Sequence, residues 1–116
     1  MASFMLLLHR SSSPPQRTGD VTSITREYMD WADRTRAAGL LKGGAKLTDD
    51  AGKVMRTSGA DTRVSTTDGP YAESKEIVGG YFLVSAADYA EACRSASDCP
   101  HLKYGSHIEV RQVQEL

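Results

Sequence analysis

Apolar and polar positions follow two rhythms along this chain. Residues 3–9 predict a first strand, with Met5-Leu6-Leu7-Leu8 apolar toward both sides. Residues 80–85 predict the clearest strand, in which Tyr81-Phe82-Leu83-Val84 is unbroken. Residues 108–113 alternate, Ile108 and Val110 against Glu109 and Arg111, as a half-buried strand does. The helical rhythm shows in Ile24, Tyr28, Trp31, Thr35 and Ala38, whose spacing predicts a helix over 21–38. Asp20 or Thr22 can cap its start, and Gly39 stands where a left-handed terminator belongs. A second helix over 86–98 opens at Ser85-Ala86-Ala87-Asp88, a capping-box-like start, and turns Tyr89, Ala92, Cys93 and Ala96 inward. Pro100 ends it, because the residue before a proline avoids the helical region. Residues 40–47 predict a short irregular strand, and 54–57 pairs with 62–67 around the turn at 58–61. Pro14-Pro15 makes 11–19 a surface loop.

The order is strand, helix, two or more strands, helix, strand. It predicts a ferredoxin-like α+β fold, βαββαβ with an extra short strand, in a single domain over residues 1–116. Two helices cover one face of such a sheet. Since the strands around Leu6 and Phe82 are apolar on both faces, the other face also needs a cover. A second copy of the chain supplies it, so the pattern predicts a homodimer.

Composition narrows the classes. Fourteen basic residues face fifteen acidic ones with no long basic run, so nothing supplies the phosphate attraction of direct nucleic-acid binding. The apolar run at 4–8 is too short for a signal peptide or a membrane span, which points to a cytosolic protein that does not enter a membrane. Six residues of helix rise about 9 Å, too far for a disulfide between Cys93 and Cys99. Free thiols suit a reducing compartment. Those cysteines and the scattered His9, His101 and His107 make no zinc pattern, and no metal or cofactor is expected.

The densest stretch carries a family resemblance. Thr67-Asp68-Gly69-Pro70-Tyr71-Ala72-Glu73-Ser74-Lys75-Glu76, followed by Gly79-Gly80-Tyr81-Phe82, resembles the signature of the DGPF group of YCII-related proteins. Cys99-Pro100-His101-Leu102-Lys103-Tyr104-Gly105 and Ile108-Glu109-Val110-Arg111 match the same group, as do residues 4–8 and Tyr28-Met29-Asp30-Trp31. The resemblance implies a dimeric α+β barrel of ferredoxin-like protomers. Most relatives have no assigned reaction, and some in the wider superfamily act on lactones, including a dehalogenating lyase of muconolactones. Some DGPF proteins are encoded beside, or fused to, extracytoplasmic-function sigma factors, which implies a regulatory alternative with a sigma factor as partner. A shorter branch is thought to use a His–Asp pair, from the first helix and from the position before the proline after the second. Tyr28 and Cys99 stand in those places here, so that mechanism does not carry over.

The residues themselves offer several candidates. Asp68-Gly69-Pro70 is a turn in which Asp68 caps the backbone or serves as a general base, with Gly69 and Pro70 beside a ligand. Glu73 either sits on a solvated connector or faces a cavity beside Asp68, where like charges would raise one carboxyl pKa. His101, just past Pro100, suits acid–base work near neutral pH or a loop hydrogen bond. Tyr28 is a core aromatic or a polar cavity wall, and Arg63 pairs with Asp68 or clamps a substrate carboxylate. Gly79-Gly80 enters a strand rather than opening a helix, which suits a bulge or close backbone approach at a dimer seam, not a phosphate loop. Cys99 lies at a helix C-terminus, without the positive end that activates a thiol. The catalytic candidates are therefore Asp68, His101 and Glu73, with Tyr28, Arg63, Gly69 and Pro70 binding substrate. The reading is a homodimer with a small-molecule pocket and lyase- or hydrolase-like chemistry. The alternative is a non-catalytic ligand-binding or regulatory module.

Overall fold

A computed structural model describes residues 1–11, 21–57, 59, 63–69, 76–105 and 107–115. The elements run β1 (Ala2–Ser11), α1 (Val21–Ala37), β2 (Leu41–Lys46), β3 (Lys53–Thr57), β4 (Val64–Asp68), β5 (Glu76–Ala86), α2 (Tyr89–Ala96), α3 (His101–Tyr104) and β6 (His107–Val113). Four strands form an antiparallel sheet in the order β2-β5-β1-β6. With the first and last strands adjacent and β5 beside β1, the arrangement is ferredoxin-like. No helix among the described residues is long and apolar enough to cross a membrane.

β1 sits between β5 and β6, which explains its apolar run. Phe4, Leu6 and Leu8 are buried toward the helices, and Val84 and Ala86 join them from β5. Trp31 of α1 packs at a 52° tilt on Phe82 with ring centroids 4.8 Å apart, and its indole N–H donates to Asp98 Oδ1 at 2.8 Å. Ala92 and Ala96 complete the core; their small side chains let α2 lie close to the sheet. Gly39, at φ 76°, closes α1 as expected: the Leu40 N–H reaches back to the Thr35 carbonyl at 3.0 Å.

Successive strand side chains point to opposite faces. Met5 and Leu7, directly opposite Leu83 and Tyr81, therefore face away from the helices. All four are half-buried within the single chain. The molecule measures 49 × 40 × 18 Å, and the short dimension is that of one helix layer on one sheet.

Besides a β5 that begins at Glu76 rather than at residue 80 and the unforeseen one-turn α3, three details differ from the sequence expectation. α2 begins at Asp88 rather than Ser85: the Asp88 carboxylate accepts the Glu91 N–H at 2.9 Å, and Glu91 Oε2 accepts the Ala87 N–H. The box is three residues later because β5 continues through Ala86, on the apolar demand of the core. Consequently Tyr89 and Cys93 are exposed rather than inward. β3 and β4 form their own two-stranded sheet instead of widening the main one. Their residues are nearly all exposed in the single chain, Met55 and Val64 included, with Val54 alone half-buried among those ten. Finally, a side chain at Gly80 would meet the Ala45 carbonyl oxygen at 2.8 Å. The close approach at that glycine is between β5 and β2 inside the protomer, next to a register shift at Leu8/His9.

Candidate functional site

The chain between α2 and β6 is compact and polar. After Ala96 it turns through Ser97 and Asp98, with the Cys99 N–H bonded to the Ala96 carbonyl at 3.0 Å, and Pro100 starts the single turn of α3. That turn drives His101 inward to the end of the β1–β6 ladder, where it is 6% exposed. Its Nε2 lies 2.6 Å from the His9 carbonyl oxygen, and its Nδ1 lies 3.0 Å from the Tyr28 hydroxyl. A carbonyl only accepts, so Nε2 carries the proton. Nδ1 then presents its lone pair, and the Tyr28 hydroxyl donates to it. Both side chains are satisfied in the neutral state.

Electrostatics reinforce this. Burial pushes the His101 imidazolium down from the usual range, nearby His107 and His9 add to the effect, and the hydrogen bond to the His9 carbonyl opposes it. Burial likewise pushes the Tyr28 phenol up to about 12, with Cys99 and Tyr104 beside it contributing. The Cys99 thiol is raised by burial too, so it remains a thiol. Gly105 walls the other side of the imidazole. A side chain there would overlap the His101 ring, so the ring's position depends on glycine at 105.

Because folding favours neutral His101, its contribution to stability is present above pH 6.5 and is lost as the pH falls below 6.5 toward its lowered folded value. Urea unfolding at pH 7.5 and pH 5.5 should show this loss, and His101→Gln should have a smaller difference between the two. An equal pH dependence in both proteins would refute the assignment.

Beside this pair, a groove of about 460 Å³ is lined by Glu27, Asp30, Arg34, Asp98, Cys99 and Lys103, among others. Nearby Tyr104 and Lys103 hold the Glu27 carboxyl below its ordinary range, and Lys103 Nζ donates to Glu27 Oε1 at 3.1 Å. Tyr28 and His101 flank the groove in sequence but do not line it.

Three other expected site residues, Asp68, Gly69 and Arg63, stand elsewhere. Asp68 is on β4, exposed and ion-paired with Lys53, on the small sheet rather than beside His101. Gly69 is buried with its N–H on the Gly52 carbonyl at 3.0 Å, and a side chain there would meet the Ala51 carbonyl; its role here is to close the hairpin onto 51–54. Arg63 is an exposed residue just before β4. Glu73 and Pro70 lie outside the described residues. Of the sequence candidates, then, Tyr28 and His101 are brought into contact and Asp68 is not brought to them. His9 was not singled out, because its contribution to the pair is a backbone carbonyl, which no residue type signals.

The model of the YCII-related domain matches residues 5–116. Comparison with curated proteins gives no significant match.

Proposed function

The chain belongs to the YCII-related family, and on that premise we propose that it is a small-molecule acid–base protein with lyase- or hydrolase-like chemistry whose working pair is Tyr28 and His101. The observation that carries this reading is the directed chain from the Tyr28 hydroxyl through His101 to the His9 carbonyl. When the Tyr28 hydroxyl turns to a substrate oxygen, it releases the Nδ1 lone pair of His101. That nitrogen then takes a proton from the substrate, while Nε2–H stays on the His9 carbonyl and spreads the positive charge. Tyr28, a phenol held neutral by its high pKa, donates to the oxygen that gains negative charge. Lactones and small carboxylates are the substrate classes to set against these groups, and the adjoining groove adds paired charges, Arg34 with Asp98 and Lys103 with Glu27.

The active form in this proposal is a homodimer, supported by the helix-free sheet face with its apolar Met5, Leu7, Tyr81 and Leu83. The test is a thermal-shift and turnover screen of lactones and small carboxylates. A true ligand raises the melting temperature by mass action. With a substrate in hand, His101→Gln should lower turnover about 10²- to 10⁴-fold, as removal of a positioned acid–base group does, and Tyr28→Phe should lower it as well. Turnover that survives both substitutions would rule out the pair as the catalyst. Binding without turnover would favour a ligand-binding module instead.

A further inference from the structure

On the helix-free face, at the end of the sheet beyond Leu7, four titratable side chains converge from three strands. His9 of β1 and His107 of β6 are direct cross-strand partners, and their rings stack with centroids 4.5 Å apart and planes 14° from parallel. Glu76 opens β5 and lies with its Oε2 3.2 Å from His107 Nδ1. Glu109, two positions along β6 from His107, holds His9 Nε2 at 2.9 Å through Oε1.

We propose that His9, His107 and Glu76 form a divalent metal site of the zinc class, with Glu109 orienting the His9 ring. One ligand atom from each of the three lies within 4.8 Å of the others. Ligands of one tetrahedral zinc ion stand about 3.4 Å apart, given bonds of about 2.1 Å. Rotation of side chains at a strand end closes that difference, and the exposure of His107 and Glu76, at 50% and 41%, leaves both room to turn and a path for the ion. Two imidazoles with one carboxylate select zinc, cobalt or nickel over magnesium and calcium, which prefer all-oxygen shells. A carboxylate on the remaining nitrogen of a ligating histidine is the usual support for such a site, and Glu109 is placed to give it. Three protein ligands leave a fourth position for water or a substrate oxygen. The site stands apart from the Tyr28–His101 proposal, since it uses the His9 imidazole and that pair uses the His9 carbonyl.

The experiment is calorimetric titration of the untagged, full chain with zinc, paralleled by the visible spectrum on adding cobalt. One ion per chain should bind, with cobalt bands of low-coordinate N/O ligation. His107→Ala and His9→Ala should each weaken zinc at least 10-fold, Glu76→Gln should weaken it less, and circular dichroism should confirm that the variants fold. Cys93→Ser should keep the affinity, because the exposed thiol is the competing soft ligand. Zinc affinity unchanged in both histidine variants, or abolished by Cys93→Ser, would overturn the site, as would no binding at about 100 μM zinc, an affinity of only about 5.5 kcal/mol.

Discussion

Trp31→Ala is expected to lower the unfolding free energy by about 3–5 kcal/mol, the range for removing a buried large aromatic. Trp31 is 1% exposed, packs on Phe82 across the helix–sheet interface, and ties α1 to the α2–α3 turn through its bond to Asp98. Truncation leaves a cavity between α1 and β5 and removes that tie. Trp31→Phe should cost much less: it keeps most of the buried ring, and the Asp98 side chain, 69% exposed, returns to water. Urea unfolding by circular dichroism reads both. A loss below about 1 kcal/mol for the alanine variant would mean that the site collapses around the missing ring or that the core is centred elsewhere. With typical domains stable by only about 5–15 kcal/mol, the alanine variant should also melt well below the parent.

The second large effect is on assembly. Light scattering should give the parent chain a mass of twice 12.6 kDa and the Leu83→Lys variant the mass of one chain. Leu83 faces away from the helices, opposite Met5 and beside Gly43. In a seam between two such sheets a lysine would be desolvated without a counter-ion, a cost of several kcal/mol per copy that a moderate interface does not recover. The protomer itself should keep its circular dichroism, because the helix-facing core does not include this side chain. A parent chain of single mass at micromolar concentration would end the two-sheet proposal. So would a variant that stays dimeric, because the seam would then lie elsewhere.

The fold was legible in the sequence wherever burial imposes a period. The stripe through Tyr28, Trp31 and Thr35 placed α1 to within a residue of its end, and the unbroken run at 81–84 marked β5 as a strand apolar on both faces. Legibility failed where several local choices were chemically equal. Ser85 and Asp88 both make good caps; the requirement to bury Ala86 against the sheet decided for Asp88. The one-turn helix α3 left no periodic signal, since four residues are too few to show one. The hairpin at 53–68 could be read as two strands but not as a separate sheet, because exclusion from the main sheet depends on what its faces could bury.

The site divides the same way. His101 and Tyr28 were each suspect from their own surroundings, but their contact spans 73 positions and arises from how α3 is pinned at the ladder's end. Asp68 drew attention because its turn is chemically dense, and the fold places it on an exposed hairpin paired with Lys53. His9 and His107 were read as scattered because spacing along a chain says nothing about strand pairing; the antiparallel register makes them neighbours.

By itself, then, the sequence determined the family, the order of the strands and of the two longer helices, the sheet and α1 side of the core and the apolar character of both sheet faces, all of which follow from local residue chemistry and periodic burial. The tertiary structure alone decided which polar side chains meet. Hydrogen bonds between distant residues depend on strand register and helix docking, and neither is set by any residue acting within its own segment.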